Sequence, residues 1–344
     1  MILAESIVHT LDPFLFRITA EFGPRWYGLA YAAGFLVAWG LARWLAKSGR
    51  VAISTAQAAD LVTILAIGVL AGGRIGHILF YEPKLLVGFS GDFPFWDAIN
   101  IAHGGMSSHG GMIGVGVAAM WSARRMRLPF LAVGDIACFA APIGLGLGRL
   151  ANWVNGELLG KALPETMQGN PPWWSVKYPS ELLEKGFANA DRLAALSPLR
   201  SRIGAHPGDS LAKALFDACY RHDAEVLGKV APLLTARYPI NFMQAFTDGV
   251  LLMLALVVVW LRPRPAGTLM GWFMLVYGAL RCVTEAYREP DPDVLHTTVV
   301  TMPVLLSLSM CMVGLALLLR VRGRGDRHGG LLSAASDRAV AEAA

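Results

Sequence analysis

Apolar residues in this chain come in long blocks, not in the short alternations or one-in-three stripes of a soluble core. Seven blocks, 26–46, 58–81, 110–123, 131–153, 243–261, 267–287 and 299–319, approach the roughly 20 residues that a helix needs to cross a bilayer. The third is short unless it takes in the glycine-rich segment before it. That backbone would then have to line protein or a water-filled cavity. Ahead of the first block, residues 1–23 alternate apolar and polar positions around Pro13 and read as an interfacial arm. A long polar stretch, 162–237, separates the fourth and fifth blocks. It contains PPWW and short charged amphipathic runs such as 209–221, and reads as a small, mostly helical head. From Arg322 the chain is rich in Gly, Arg and Ala and reads as a disordered tail.

The pattern predicts an all-α integral membrane protein of about seven transmembrane helices with an extracytoplasmic head domain. Its parts are an arm (1–23), spans one to four (24–161), the head (162–237), spans five to seven (238–321) and a cytoplasmic tail (322–344). Basic residues orient it. Arg43, Lys47 and Arg50, then Arg124, Arg125 and Arg127, then Arg262 and Arg264, then Arg320, Arg322, Arg324 and Arg327 fall in one set of connections. The opposite short connections hold only Arg17, Arg25, Lys84 and Arg288. The first set is cytoplasmic by the positive-inside rule, which puts the N-terminus outside and the C-terminus inside.

Composition agrees: 55% of residues are hydrophobic and 16% charged, with mean hydropathy +0.48, against about 25% charged in soluble domains. The net charge of +5 is therefore a matter of topology, not a nucleic-acid footprint. Cys138, Cys282 and Cys311 sit in apolar blocks and Cys219 in the polar stretch, with no disulfide framework or paired metal motif. Met1–Arg17 lacks the basic start of a signal peptide, so the first span is expected to act as its own targeting signal. No internal repeat is evident, which weighs against an inverted-repeat transporter.

Four stretches carry candidate chemistry. GRLANWVNGELLGK (148–161) closes the fourth block. An arginine at membrane depth costs roughly 2.5–3.5 kcal/mol on insertion scales, so Arg149 should face a partner or a polar cavity. Asn152 shares its helical face, Asn155 and Glu157 follow, and no aspartate lies nearby in sequence to neutralise the cation. That combination suits a phosphate or carboxylate; the alternative is a helix end whose polar groups reach the interface. HGGMSSHGG (103–111) places His103 and His109 among Gly104, Gly105 and Gly110. Glycines let backbone N–H groups approach a ligand, and histidine accepts protons near neutral pH. The histidines are too far apart to share a helical face, which argues against a metal pair; the alternative is a re-entrant turn with structural histidines. YGALRCVTEAYREPD (277–291) carries Tyr277 one turn before Arg281, and Arg281 four before Glu285, a spacing at which the two can simply pair with each other. GGRIGHILFY (72–81) puts Arg74 and His77 on one face, and Arg25, Trp26 and Tyr27 open the first span. Asp135 reads as structural. Together these describe a cavity facing the outer leaflet, better suited to an anionic lipid headgroup than to an inorganic cation.

These motifs, with HGGMSSHGGMIG and GPRWYGLAY, resemble the bacterial prolipoprotein diacylglyceryl transferase family in order and approximate spacing across all seven blocks. The resemblance implies a seven-span enzyme of the bacterial inner membrane with a periplasmic head; a monomer needing no cofactor and no metal is expected. It would transfer the diacylglyceryl group of phosphatidylglycerol to the lipobox cysteine thiol of a preprolipoprotein signal peptide, forming a thioether and releasing glycerol phosphate. By position, the family's phosphate-contacting arginines fall on Arg149 and Arg281, its histidine on His109, its tyrosines on Tyr27 and Tyr277, and its acidic partner on Glu285. Its signature falls on Asn152, Gly156, Glu157 and Gly160. His109, Arg149, Arg281, Tyr277 and Glu285 are thus expected to be catalytic. Tyr27, Arg74, His103, Gly104, Gly105 and Gly110 are expected to bind substrate, with Asn152, Asn155, Gly156, Glu157 and Gly160. In this scheme His109 raises the thiolate fraction, and the arginines meet charge growing on the leaving phosphate.

The chain departs from the family pattern in RYPINFMQ (237–244), where Tyr238 replaces a histidine and Gln244 a glutamate, and in TMPVLL (301–306). The Gln244 amide would keep one acceptor and add donors able to meet a phosphate. Two other readings stay open: a paralogue, inactive or with another acceptor, that binds anionic phospholipid, and a small-anion or lipid transporter. A reporter fused near residue 190 is expected to read as extracytoplasmic and one within 124–127 as cytoplasmic; the reverse would overturn the orientation.

Overall fold

The structure, a computed structural model, describes residues 6–19, 23–91, 95–100, 105–184, 190–204, 210–289, 301–325 and 327–332; the side chains at 108, 109, 190, 191, 302, 327 and 328 are outside that description. Its longer helices are α1 (Trp26–Lys47), α2 (Thr55–Phe80), α3 (Ser108–Met126), α4 (Phe130–Asn155), α5 (Leu211–Tyr220), α6 (Ala224–Val230), α7 (Ile240–Trp260), α8 (Thr268–Glu285) and α9 (Met302–Val321). Among the described residues α1, α2, α4, α7 and most of α9 are long and apolar enough to cross a membrane. They fall on five of the seven predicted blocks. The other two blocks are α3 and α8, of 19 and 18 residues, whose glycines and polar residues dilute their apolar character. The protein is a mostly helical, multi-pass integral membrane protein. Leu36, Ile67, Val258 and Met312 are each at least 60% exposed, as side chains solvated by lipid should be.

The chain divides into two compact units: one of residues 1–31, 145–249 and 279–308, the other of 32–144, 250–278 and 309–344. In the second, α2 and α3 meet backbone to backbone. Gly68, Gly72 and Gly76 recur every fourth residue on α2, and Gly110, Gly114 and Ala118 do so on α3. A Cβ on Gly72 would lie 2.7 Å from the Gly114 Cα, and one on Gly76 2.6 Å from the Gly110 Cα. In lipid, where apolar burial drives nothing, such close packing is what holds helices together. Gly271 and Gly314 bring α8 and α9 together in the same way. Asp135 of α4 accepts from the backbone N–H groups of Gly267 and Met270, both at 2.8 Å. It satisfies donors that the first turn of α8 leaves orphaned, the structural role expected of it. Part of the predicted tail folds back: Arg327–His328 pairs antiparallel with Arg264–Pro265, and the Leu331 N–H bonds the Trp260 carbonyl at 2.8 Å.

The first unit is stitched by a row of short backbone segments. Ile7–Val8 pairs in parallel with Val176–Lys177, Val176 bridges to Arg237, Arg237 to Ala162, and Gly160 to Arg288. The row runs from the N-terminal arm through the polar stretch and the end of the 148–161 motif to the residues after α8. The arm, expected in the interface, is therefore tied to the chain near 176, although Leu15, Phe16 and Ile18 remain exposed. Leu182, Leu215, Cys219, Val226 and Val230 form a buried apolar core around α5 and α6.

Gly114→Val should destabilise the protein by about 1–3 kcal/mol, because the new side chain meets the Gly68 carbonyl oxygen. Gly116→Val, whose added Cβ meets nothing within 4 Å, is the control. Thermal unfolding in detergent should separate the two; equal behaviour would disprove the backbone contact.

Candidate active site

The 148–161 motif begins on the last turns of α4. The Arg149 Nε donates to Asp248 Oδ2 at 3.2 Å; the Asp248 side chain is wholly buried and that of Arg149 is 15% exposed. Asp248 lies in Ala245–Leu251, a π-helical stretch of α7, a local irregularity frequent at functional sites. A Cβ on Gly146 would lie 3.2 Å from the Gly249 Cα. These glycines let α4 and α7 approach closely enough for the pair to form. The expectation that no aspartate neutralises Arg149 is thus corrected: the partner comes from 99 positions away. The missed signal was a lone carboxylate in an otherwise apolar span.

Beyond Arg149 the helix ends in a Schellman turn. The Gly156 N–H bonds the Trp153 carbonyl at 3.0 Å, and the Glu157 N–H bonds the Asn152 carbonyl at 3.1 Å. Gly156 has φ +66°, and Leu158 takes φ +55° without being glycine, a strain of about 1–3 kcal/mol that the surroundings must hold. Asn155 Nδ2 donates to Glu157 Oε1 at 3.3 Å, and Asn241 Nδ2 to the Glu157 carbonyl at 3.0 Å. Burial pushes the Glu157 carboxyl above the ordinary carboxylate range, against the Asn155 bond and the Arg25 cation. Tyr27, which packs on Tyr31 with ring centres 5.2 Å apart, lies within electrostatic reach of both Arg149 and Glu157. Gly160 sits against the Tyr238 carbonyl with no room for a Cβ, and its own carbonyl accepts from Arg237 at 3.1 Å.

The floor of this turn is His9, which the sequence reading passed over. Its ring is 1% exposed. The ring meets Trp153 edge-on at 5.6 Å and Tyr178 at 5.3 Å, and its Nδ1 lies 3.5 Å from the Tyr220 hydroxyl. A Cβ on Gly156 would come within 3.1 Å of the imidazole. Burial lowers the pKa of His9, outweighing nearby backbone bonds, and favours the neutral ring.

On α8, Arg281 Nη2 lies 2.9 Å from Glu285 Oε2, so the pairing that the spacing allowed is made. Arg288 Nη1 lies 3.7 Å from the other oxygen of the same carboxylate. All three side chains are buried, and two guanidinium groups share one carboxylate.

In the second unit, Arg74 donates to the carbonyls of Ala98 at 2.7 Å, Gly105 at 3.0 Å, and Asp97. Its guanidinium therefore holds the loop before α3. Ser107 caps α3 by accepting from the Gly110 N–H at 3.2 Å, and Gly110 itself packs against α2. Tyr277 stacks on Phe273 with ring centres 5.6 Å apart. His103, Gly104 and the His109 side chain lie outside the described residues. Among the described residues no group of three or more His, Cys, Asp or Glu could hold a metal ion.

The chain matches the family model for prolipoprotein diacylglyceryl transferase over residues 13–320. It is 36% identical to the phosphatidylglycerol–prolipoprotein diacylglyceryl transferase of Bdellovibrio bacteriovorus over 332 residues, 91% of this chain and 93% of that one. Identity is 33% to the protein of the same name from Geobacter sulfurreducens, covering 91% and 96% of the two chains. It is 31% to that from Proteus mirabilis, covering 89% and 90%. The chain belongs to the prolipoprotein diacylglyceryl transferase family.

In this diacylglyceryl transferase family member, the departures from the family pattern have structural counterparts. Tyr238 stands in an aromatic row between Trp174, at 6.1 Å, and Tyr287, at 5.1 Å. Gln244 is wholly buried, and neither amide atom bonds a described residue. Its neighbour Asn241 supports the Glu157 turn instead.

His9 gives a pH-dependent prediction. The unfolded chain takes up a proton near the ordinary value of 6.5, while the buried ring resists it. Stability contributed by neutral His9 is therefore present above about pH 6.5 and lost as pH falls toward the lowered folded value. From about pH 7 to 5 the protein should lose stability relative to His9→Phe; parallel curves would show that the ring is not held neutral.

Proposed function

We propose that the protein transfers the diacylglyceryl group of phosphatidylglycerol to the cysteine thiol of a prolipoprotein. The observation that carries this reading is the family match over residues 13–320, which includes both arginine clusters. In the reaction the bond between the glycerol carbon and the phosphate-ester oxygen breaks, and a carbon–sulfur bond forms. The thiol proton goes to a base, and glycerol phosphate leaves with the electron pair of the broken bond.

A free thiol has a pKa near 8.5, so only a few per cent is thiolate at about pH 7. His109, at the capped start of α3, is our choice of base. Arg149 and Arg281 are the donors that meet charge growing on the leaving phosphate. The pairing of Arg149 with Asp248 and of Arg281 with Glu285, which holds each guanidinium in place, supports this. Asn152, Asn155, Gly156, Glu157 and Gly160 form the turn beside Arg149, with Tyr27 facing it. Arg74 contributes by holding the Gly105 carbonyl, and Gly110 by seating the start of α3, which carries His109, against α2; His103 is taken as a substrate-binding residue beside them. Tyr277 and Glu285 act from α8.

We place α3 and α8 in the bilayer with the other five helices, giving seven spans in the bacterial inner membrane. Residues 162–237 then form an extracytoplasmic head near the lipobox of the acceptor. The basic connections support this orientation.

Purified protein supplied with phosphatidylglycerol and a lipobox peptide should release glycerol phosphate. Arg149→Lys and Arg281→Lys should each lose about 100-fold in turnover, because an ammonium cannot reproduce a planar fork on two phosphate oxygens. His109→Ala should be inactive and His103→Ala active. No release by the unaltered protein would overturn the reading.

A further inference from the structure

Asp248 stands outside every motif and family position named above. One of its carboxylate oxygens takes the Arg149 Nε–H, and the other accepts the Thr247 hydroxyl at 3.2 Å. The carboxylate is wholly buried and fixed at both oxygens. The place at which it grips Arg149 matters. A guanidinium presents five N–H groups in one plane. A bond at Nε sets the rotation of that plane and leaves the outer edge, Nη1 and Nη2, as the fork that meets two phosphate oxygens at once. Among the described residues Arg149 bonds only through Nε.

The backbone shows how the grip is built. Residues 245–251 are wound as a π-helix, which shifts Asp248 around the α7 axis relative to a regular α-helix. The Gly146–Gly249 approach brings that turn against α4, three residues before Arg149. A carboxylate in a span is expensive, and one that serves only to cancel an arginine could be replaced together with it by apolar residues at little cost.

We infer that Asp248 is a positioning residue for diacylglyceryl transfer: it holds Arg149 by Nε and turns the Nη edge toward the phosphate ester of the lipid. This rests on the transfer reading above. Asp248 touches no reacting atom and works through Arg149. Asn at 248 still offers an oxygen to Nε but no charge, and Leu offers neither. A lysine at 149 has no Nε–H to grip, so Asp248 then has nothing to orient.

The test measures kcat and KM for phosphatidylglycerol with a lipobox peptide, on protein whose thermal midpoint in detergent is recorded. Asp248→Leu should lower kcat about 100-fold and Asp248→Asn about tenfold, each with KM changed less than about threefold. In the Arg149→Lys background, Asp248→Asn should cost less than about twofold more. A purely structural pair would lower the midpoint, leave kcat of the folded fraction near normal, and act additively with Arg149→Lys. Either normal kcat in folded Asp248→Leu or additive losses in the double variant would overturn the inference. Should Asp248→Leu not fold, Asp248→Asn and its coupling to Arg149→Lys decide the matter. If the unaltered protein releases no glycerol phosphate, the transfer reading falls. Asp248 is then judged by retention of phosphatidylglycerol over phosphatidylethanolamine, which Asp248→Asn should weaken about tenfold; unchanged retention overturns the inference.

Discussion

A guanidinium in a span has no water to fall back on, and the first unit is arranged around that constraint. Arg149 is matched by Asp248 from α7, and Arg281 shares Glu285 with Arg288. Each pairing keeps a guanidinium from lying bare in a low-dielectric setting, where an unmatched charge is costly.

The same constraint explains why so much of the architecture was legible in the sequence. Blocks 26–46 and 131–153 became Trp26–Lys47 and Phe130–Asn155, because in lipid the backbone must satisfy itself and a long apolar run has no alternative to helix. The glycines of 68–76 and 110–114 were visible too, but only Gly110 among them was read, as ligand-binding backbone. Their spacing of four on two adjacent helices is equally a packing code, and for Gly110 the structure shows that use.

What stayed hidden depends on distance along the chain or on very short segments. Nothing local in GRLANWVNGE points to Asp248, because the pair is made by a helix contact and a π-helical stretch, and sequence periodicity registers neither. His9 was hidden for a related reason. The alternation around it was assigned to a membrane surface, whereas Ile7–Val8 is a strand too short to be recognised without its partner. Residues 162–237 were expected to be mostly helical, and α5 and α6 lie there; the backbone row beside them is built from bridges of one or two residues.

That row has a consequence for biosynthesis. It joins residues near the start of the chain to residues 287–289, with the end of the 148–161 motif inside it. A ribosome releases this sequence in order, so residues 156–160 wait unpaired on one side until α8 has been made and inserted. Pairing across so long a separation closes late and slowly. A truncated or stalled chain would carry Arg149 and the turn yet lack the strand that finishes them. The turn that follows Arg149 is thus completed only after α8 has been made.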